Sequence, residues 1–345
     1  MNGIVNSRPE KTSISGPTVW KGSELRGNTH WITRLDAAHI AELTHAAADA
    51  RAKGIQHRDL NNENFPLPTL SRVLSGIRHE LRHGCGFSLI KGIDVDTFDP
   101  ILLRIALVGL GTHLGVPVSQ SFRGDYLGEV MNYHEAGNER PYRGGGEISM
   151  HRDPCDIVGL LCQRRAMEGG ASRLASAAAV WNAFLTEKPE LIETMIEGFR
   201  LYRTRDGHSV ASLVTSERIP VFARDPDGPM HCTFIAELAE AAAKVSNETL
   251  SDDARAAISF FRTVVSRSDM YLDMNIEPGD IQLLNNRSTL HGRTDYRDWP
   301  ESHRRRLMLR LWLMCPDWPQ PPIAISKMLF EANDRENGGA KVQEP

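Results

Sequence analysis

The order of predicted strands and helices constrains the fold of this chain more than any other feature. Short apolar runs typical of strands dominate residues 155–314, whereas helical patterns are concentrated before them and are inserted among them irregularly. A doubly wound parallel sheet needs helices that alternate regularly with strands, so such a sheet is not expected. A double-sheet jelly roll with helices outside fits better. The predicted fold class is mainly β with flanking helices around a double-stranded β-helix (jelly-roll) core.

Periodicity and capping signals predict where the individual elements lie. Apolar residues three or four positions apart indicate helices, and Asp36 and Ser251 are candidate N-caps. The predicted helices cover residues 35–52, 66–83, 100–114, 175–184 and 251–266. The predicted strands cover residues 87–90, 156–162, 199–205, 219–224, 271–275, 281–285 and 306–314. Residues 225–228 (DPDG) predict a hairpin turn.

Length and composition allow one large domain or two small ones, with a full core. The chain has 345 residues, of which 41% are apolar, enough to fold without disulfides or structural metals. We predict a polar N-terminal arm over residues 1–30, a single catalytic jelly-roll domain over 31–330 and a polar tail over 331–345. Residues 135–149 are rich in glycine and charge and run into a candidate site. They are interpreted as a mobile loop, either a lid or a plain surface loop.

Charge, hydropathy and cysteine usage exclude several classes of protein. The formal net charge is -4, so no basic face for nucleic acid is indicated. The most apolar run, residues 101–111, contains Arg104 and is too short to span a bilayer, and the polar N-terminus does not resemble a signal peptide. The five cysteines form no CxxC pair, which argues against a disulfide framework and a zinc ribbon. We predict a cytoplasmic protein without nucleic-acid or membrane partners.

The segment His151-Arg152-Asp153 is the first candidate for metal binding. In an extended chain, residues two apart point to the same side, so His151 and Asp153 can face one point. With one distant histidine they would form a 2-His-1-carboxylate triad, which leaves open positions on Fe(II) for O₂ and a bidentate co-substrate. Alone the motif is weak, because the chain has 13 histidines. The same letters open the kinase catalytic loop, but no glycine-rich phosphate loop precedes them.

A second histidine and an arginine-bearing strand come later in the chain. Residues 278–286 (PGDIQLLNN) predict a turn and a strand, and His291 follows after an Asn-rich corner. In residues 306–313, leucines alternate with larger side chains. The face opposite the leucines carries Arg306, Met308, Arg310 and Trp312. Arginines buried without partners are costly, so this face implies buried anions such as carboxylates, unless the strand is an edge with solvated arginines. Trp312 and Tyr202 are interpreted as packing residues.

Together these segments resemble the TauD/TfdA family of Fe(II)/2-oxoglutarate dioxygenases, which includes the clavaminate synthase-like enzymes. The matching segments follow the family's order, and residues 84–92 (GCGFSLIKG) also resemble its early strand. They are MHRD at 150–153, EGGASR at 168–173, PGDIQLLNN at 278–286, LHGRT at 290–294 and RLMLRLWL at 306–313. Each segment is weak alone, but five in order are specific.

The resemblance implies a jelly-roll fold and a set of ligand-binding residues. The implied Fe(II) ligands are His151, Asp153 and His291. Arg306 matches the arginine that pairs with the distal carboxylate of 2-oxoglutarate, with Arg305 as the alternative. Ser172 falls where the family usually has a threonine whose hydroxyl contacts the same carboxylate. Arg310 matches a second arginine that contacts substrate or co-substrate anions. Gln120 and Arg123 lie in a segment that either faces the pocket or is plain polar surface.

The implied function is oxidation of a small, carboxylate-bearing metabolite with Fe(II), O₂ and 2-oxoglutarate, releasing succinate and CO₂. Because Asp153 is present, hydroxylation, desaturation or cyclisation is expected rather than halogenation. A non-catalytic metal-binding jelly roll is one alternative, but such a module needs no 2-oxoglutarate site. A zinc hydrolase is another, but no H-E-x-x-H occurs. The helical N-terminal third could pack on the jelly roll or on a second subunit, so a homo-oligomer stays open.

Overall fold

A computed structural model of the chain describes residues 8–96, 98–121, 124–133, 145–202, 213–224 and 228–319. The helices of this part are α1 Gly22–Leu25, α2 Ala37–Ala52, α3 Leu70–His83, α4 Pro100–Thr112, α5 Ala177–Glu187, α6 Ile192–Glu197, α7 Ala236–Val245 and α8 Asp252–Ser266. Its strands are β1 Ile32–Arg34, β2 Phe87–Lys91, β3 Val116–Val118, β4 Leu127–Val130, β5 Ile148–His151, β6 Ile157–Arg164, β7 Glu168–Gly169, β8 Ser172–Ser176, β9 Phe222–Arg224, β10 Met230–Cys232, β11 Tyr271–Met274, β12 Ile281–Asn285, β13 Thr289–Arg293, β14 Tyr296–Arg297 and β15 Leu307–Met314. None of the described helices is long and apolar enough to cross a membrane.

Two sheets form the centre of the molecule. The larger sheet has the strand order β1-β2-β12-β6-β15-β3, and β4 also pairs with β15. The smaller sheet has the order β11-β8-β13-β5. Apart from the parallel β1–β2 pair, neighbouring strands in these sheets are antiparallel. Strands far apart in the chain are therefore neighbours in each sheet, and the predicted jelly-roll core is confirmed.

The two sheets face each other across a shared interior. Phe87, Val158 and Leu284 of the larger sheet lie in one buried cluster with Leu174 and Leu272 of the smaller sheet. Side chains that point inward from either sheet therefore meet in the same space, which is where a ligand between the sheets would be enclosed.

Three helices cover the outer face of the larger sheet. The last three leucines of β15 are buried together with Leu43 of α2, Leu74 of α3 and Leu107 of α4. Fully burying one leucine stabilises a fold by about 1.5–3 kcal/mol. The other face of β15 points inward, because Met308 and Trp312 belong to interior clusters. The predicted alternation is confirmed, and β15 is an inner strand of its sheet rather than an edge.

Helices inserted between the strands cover the outer face of the smaller sheet. Leu290 of β13 is buried in the same cluster as residues of α5, α6 and α8. Aromatic pairs hold this layer together: Trp181 packs edge-on against Phe222 with ring centroids 5.4 Å apart, and Phe234 against Phe261 at 4.8 Å. Edge-to-face contacts of this kind add about 0.5–1.5 kcal/mol to burial.

Local signals explain where the helices begin. The side chains of Asp36 and Ser251 each accept a hydrogen bond from a backbone N–H in the first turn, of α2 and α8 respectively, so both predicted caps are confirmed. The helix predicted over residues 66–83 starts later, as α3. Pro66 and Pro68 account for the difference, since each disfavours the helical conformation in the residue before it.

Two other predicted segments differ from the structure, and one helix is absent from the prediction. Residues 199–202 of the strand predicted over 199–205 make only isolated bridges, to Ile219 and Val214. The last two residues of the loop predicted over 135–149 belong to β5, and α7 was not predicted at all. Several features of the sequence interpretation lie outside the described residues: residues 1–7 of the predicted arm, Arg123, residues 134–144, residues 203–205 of a predicted strand, residues 225–227 and the polar tail predicted over 331–345.

The described part of the segment before residue 31 packs on the rest of the chain. Trp20 is buried, and its Nε1–H donates to the carbonyl oxygen of Cys85 at 2.8 Å. The backbone N–H of Ile14 donates to Asn182 Oδ1 at 2.9 Å, and Asn182 Nδ2 donates to the Ile14 carbonyl at 2.8 Å. These contacts hold Trp20 beside the start of β2 and Ile14 beside α5.

Candidate metal centre and adjoining cavity

The antiparallel pairing of β5 with β13 brings two distant histidines together. His151 is the last residue of β5, and it is directly opposite His291 in the middle of β13. Directly opposed side chains on one face of a sheet are close enough to interact. The two imidazole rings accordingly lie with their centroids 4.3 Å apart. The gap of 140 residues (291 minus 151) is thus closed by strand register.

Asp153 completes the set two residues beyond the end of β5. Its Oδ1 lies 3.8 Å from His151 Nε2, and its Oδ2 lies 3.6 Å from His291 Nε2. One ligand atom from each of the three residues lies within 4.8 Å of the others. In the part of the chain that the structure describes, this is the one group of histidine, cysteine and carboxylate side chains with such a geometry.

Asn286 fastens the Asp153 segment to the corner that leads into β13. Its Nδ2 donates to the carbonyl oxygens of Asp153 and Cys155, at 2.5 and 2.8 Å, and its Oδ1 accepts from the Asp153 N–H at 3.3 Å. Asn286 is buried. One amide therefore satisfies three backbone groups and fixes the distance between Asp153 and the strand that carries His291.

The Asp153 carboxylate is ionised in spite of its burial. Burial raises the pKa of this group, but the charge of Arg310, with His291 and His151, outweighs burial and holds the pKa well below its ordinary range. Oδ2 accepts hydrogen bonds from Trp312 Nε1 at 3.0 Å and from Arg310 Nη1 at 3.3 Å. Metal ligands must be deprotonated, so this environment suits a ligating carboxylate.

The histidine beside it is held in the neutral form. Burial, aided by His291, lowers the pKa of His151 to about 4. The Nδ1 atom lies 2.9 Å from the carbonyl oxygen of Ser149. A carbonyl only accepts, so Nδ1 carries the proton and Nε2 keeps its lone pair, the arrangement usual for a histidine that ligates a metal. Two imidazoles and one carboxylate on one side form the donor set of a facial triad, so the residues present fit Fe(II).

Arg306 is a buried guanidinium just before β15. Its Nη1 donates to the carbonyl oxygen of Val130 at 3.3 Å, and the guanidinium lies 5.1 Å from the centroid of the Tyr296 ring. Burial lowers the pKa of Arg306. No carboxylate of the described residues forms an ion pair with it. Because a lone buried charge is costly, this guanidinium lacks a counter-ion that something else must supply.

A cavity of ≈ 200 Å³ adjoins Arg306. Its apolar lining includes Cys162, Ile276 and Met308, and the backbone of residues 169–170 closes one side. Arg305, the alternative arginine, is only half-buried, and its Nη2 donates to the carbonyl of Pro300 at 3.3 Å. Arg306 therefore lines this cavity and Arg305 does not. Arg165 also lines it, but its exposed guanidinium already pairs with Glu277.

Ser172 begins β8 on the smaller sheet and faces the interior. Its hydroxyl donates to Gln282 Oε1 at 2.9 Å, across the space between the sheets. Gly170, two residues earlier, lies against Arg306, since a Cβ built on it would be 3.3 Å from Arg306 Nε. Ser172 is thus near the Arg306 region, but no hydrogen bond joins the two side chains in the described structure.

Arg310 lies on the same inner face but has built-in partners. Its Nε donates to Gln120 Oε1 at 2.8 Å, while Gln120 Nε2 donates back to the Arg310 carbonyl at 2.6 Å. Gly128 is directly opposite Arg310 on β4. A Cβ on Gly128 would lie 2.7 Å from Gln120 Oε1, so glycine is what leaves room for this contact. Gln120 and Arg310, both selected from the sequence, are brought together next to Asp153.

Three residues around Asp153 were missed or misread in the sequence. Trp312, interpreted as packing, donates its indole N–H to Asp153. Arg152 is buried on the opposite side of the segment and donates from Nη1 to Thr233 Oγ1 at 2.7 Å. Asn286 was noted only as part of a corner. The alternation of residues 306–313 already placed Trp312 on the face of Arg310, which was the available signal for it.

Comparison with known proteins agrees with this geometry. Residues 50–312 match the model of the family described as "Taurine catabolism dioxygenase TauD, TfdA family". FR-33289 synthase from Streptomyces rubellomurinus is 26% identical over 324 residues, 92% of this chain and 94% of that protein. The taurine hydroxylase-like protein SAT17 from Stachybotrys chartarum is 25% identical over 327 residues, 90% of this chain and 82% of that protein.

Two solved structures share the fold. Asparagine oxygenase, in complex with Fe(II), 2S,3S-3-hydroxyasparagine and succinate, superposes with a TM-score of 0.66 at 16% identity, covering 83% of this chain and 94% of that one. The non-haem iron oxygenase OrfP, in complex with Fe and alpha-ketoglutaric acid, gives a TM-score of 0.62 at 15% identity, covering 82% and 93%. At these identities the likeness establishes the architecture.

Proposed function

This chain belongs to the TauD/TfdA family of dioxygenases, and we propose that it oxidises a small, carboxylate-bearing metabolite while 2-oxoglutarate is converted to succinate and CO₂. It is a non-haem iron oxygenase that depends on 2-oxoglutarate. The observation that carries the proposal is the triad of ligand atoms within 4.8 Å of one another, two from histidines and one from an aspartate.

His151, Asp153 and His291 are the proposed Fe(II) ligands. The chain supplies them in the protonation states that a metal requires: an ionised carboxylate and, at His151, a neutral imidazole whose Nδ1–H is held by a backbone carbonyl. When bound, the iron supplies the O₂-dependent oxidising chemistry, which belongs to the cofactor. The protein places the substrate and keeps bulk water away from the buried site.

Arg306 is the proposed partner of the distal carboxylate of 2-oxoglutarate. A guanidinium fork fits a carboxylate with two parallel hydrogen bonds, and Arg306 borders a cavity on the inner side of the sheet. The carboxylate would supply the counter-ion that the described residues lack. Ser172 is proposed to turn its hydroxyl from Gln282 to the same carboxylate. A non-catalytic jelly roll has no use for this second site, which disfavours that alternative.

The substrate is proposed to be an amino-acid-like molecule. Structural neighbours have been solved with 3-hydroxyasparagine and with L-Arg and its hydroxylated forms. Arg310 is the cation beside the triad, and Gln120 holds its guanidinium in place. A substrate carboxylate would share Arg310 with Asp153. Hydroxylation, desaturation and cyclisation all remain compatible with these contacts, because the choice depends on the substrate carbon presented to the iron.

The experiment that tests the proposal is an anaerobic titration with Fe(II) and 2-oxoglutarate, followed by visible absorption. A weak charge-transfer band is expected when a keto acid chelates iron in an open facial triad. We expect Asp153→Ala to lose the band and Arg306→Ala to need far more 2-oxoglutarate to develop it. Arg305→Ala, which removes the neighbouring half-buried arginine, is the matched control and should behave as the parent.

A folded parent that binds Fe(II) but never develops the band would contradict the proposal. Equal effects of Arg306→Ala and Arg305→Ala would leave the oxygenase chemistry intact and show that Arg306 does not hold the co-substrate.

A further inference from the structure

The Asp153 carboxylate receives two N–H donors on one oxygen. Trp312 Nε1 and Arg310 Nη1 both donate to Oδ2, at 3.0 and 3.3 Å, and Oδ2 also lies 3.6 Å from His291 Nε2. Oδ1 lies 3.8 Å from His151 Nε2 and accepts neither of these N–H donors. Both donors come from β15, two residues apart on its inner face. The two oxygens of the carboxylate are therefore in different environments before any metal is considered.

A free aspartate carboxylate has no strong preference for one rotation of its final torsion. That torsion joins an sp³ to an sp² carbon, and its energy wells are broad and roughly two-fold. A hydrogen bond from a rigid group is what selects one orientation. Trp312 meets this requirement, because its indole N–H only donates and its side chain is buried, with 8% exposure, among apolar residues of both sheets.

We propose that Trp312 is a positioning residue of the metal centre, whose indole N–H sets the rotation of the Asp153 carboxylate and so presents Oδ1 for ligation. The inference rests on the proposed function, since it assumes that Asp153 is a ligand. Phenylalanine would fill an apolar interior without the desolvation cost of a buried N–H, so packing alone does not account for an indole here.

Trp312 also supports the other donor. The Arg310 guanidinium lies over the indole ring, 4.6 Å from its centroid, and Gln120 holds the Nε edge of the same group. Arg310 can replace its hydrogen bond to Asp153 with one to a substrate anion, because its guanidinium has several N–H donors. The indole is buried in a cluster of apolar residues from both sheets. Trp312 is therefore the donor that stays with the carboxylate throughout.

The test removes the N–H in two variants, one of which keeps the shape of the side chain. Trp312→Phe removes the indole N–H together with part of the ring system. Replacing Trp312 with 3-benzothienylalanine keeps the bicyclic shape and puts sulfur in place of the N–H. Trp181→Phe is the matched control, because Trp181 is also buried and donates Nε1–H to the carbonyl of Thr12 at 3.0 Å, away from the triad. Co(II) is the probe, since its visible spectrum reports the number and geometry of its ligands.

We expect both Trp312 variants to bind Co(II) about 10-fold more weakly than the parent, the scale usual for partners of metal ligands, with an altered visible spectrum. The 3-benzothienylalanine variant should keep the melting temperature of the metal-free parent, and Trp181→Phe should keep the parent's spectrum and affinity.

Two results would overturn the inference. One is a 3-benzothienylalanine variant with the affinity and spectrum of the parent, while Asp153→Ala abolishes binding; the proposed function then stands without the positioning role. The other is equal weakening in Trp181→Phe, which would reduce the effect to a general loss of packing. If the parent itself shows no Co(II) spectrum that depends on Asp153, the proposed function fails, and the inference fails with it.

Discussion

Arg306 and Arg310 lie four residues apart on the inner face of one strand segment, but only Arg310 forms an ion pair with a carboxylate of the described residues. Arg310 donates to Asp153 and to Gln120 and lies over an indole ring. Arg306 is more deeply buried. Its guanidinium donates to the Val130 carbonyl and lies beside the Tyr296 ring, and its backbone N–H donates to Asp298 Oδ1, but it forms no ion pair with a carboxylate of the described residues. A buried guanidinium with a built-in carboxylate belongs to the framework of the site. One without a counter-ion, beside a cavity, is where a carboxylate from outside is expected to bind.

The largest expected effect is a difference in the free energy of unfolding between variants of the two arginines. Arg310→Met leaves the buried Asp153 carboxylate without its main cation, and breaking a buried pair in this way costs about 3–5 kcal/mol. Arg306→Met removes a buried charge that forms no ion pair with a carboxylate of the described residues, so the free energy of unfolding should stay the same or rise. Urea denaturation of the metal-free proteins measures both. If both variants lost a similar amount of unfolding free energy, the two arginines would contribute equally to stability, and the proposed difference between them would be wrong.

The second effect concerns affinity for 2-oxoglutarate at the unpaired arginine. Arg306→Lys keeps the positive charge but loses the planar fork that can bind both carboxylate oxygens. A hydrogen bond to a charged group contributes about 1.5–3 kcal/mol, so losing one should weaken binding about 10- to 100-fold. Isothermal titration of the anaerobic Fe(II) protein gives the dissociation constant. Unchanged affinity in Arg306→Lys would show that charge alone, not the fork, holds the co-substrate.

A smaller effect on stability is expected when the hydrogen bond between Gln120 and Arg310 is disturbed. In Gly128→Ala the new methyl group would lie 2.7 Å from Gln120 Oε1 and should push this amide off Arg310, at a cost of about 1 kcal/mol. Gly76→Ala is the control: Gly76 lies within α3 with open space around it, so alanine there should stabilise by about 0.5–1 kcal/mol. Thermal unfolding compares the two. A neutral Gly128→Ala would mean that Gln120 does not restrain Arg310.

The last effect is a pH dependence of the stability of the metal-free protein, and it appears only on acidification. Burial, His291 and Arg310 lower the pKa of His151 to about 4, and burial also lowers the pKa of His231. Histidine in an unfolded chain titrates near about 6.5. Between these values the unfolded state binds more protons, so the stability of the metal-free protein should fall as the pH drops from about 6.5 towards 4.

His151→Gln should flatten this decline in melting temperature without removing it, since His231 still contributes. His303→Gln, at an exposed position, should follow the parent. A His151→Gln protein with the parent's full pH dependence would place the effect elsewhere in the chain.

The sequence predicted the architecture and the ligand triad because their signals are local or ordered along the chain. Alternation in residues 306–313 defined the two faces of β15, and Asp36 and Ser251 identified helix starts. His151 and Asp153 are neighbours in sequence. His291 was selected through the resemblance, and only the β5–β13 register shows how it reaches them.

The sequence could not show which charges are compensated. Arg306 and Arg310 look alike in a pattern, because the partners of Arg310 lie on a loop and on a segment far away in the chain. The same holds for Trp312, whose N–H partner is 159 residues away. Contacts of this range depend on how two sheets face each other, and periodicity within one strand carries no information about that.

Turnover of 2-oxoglutarate labelled at its C1 carboxyl is the decisive measurement for the triad of His151, Asp153 and His291. Labelled CO₂ would be counted from aerobic protein with Fe(II), with and without a panel of amino acids. We expect slow release from the parent, faster release with at least one amino acid, and none from Asp153→Ala above the protein-free background. An iron-loaded parent that releases no more CO₂ than Asp153→Ala under every condition would contradict the assignment of this triad as an oxygenase centre.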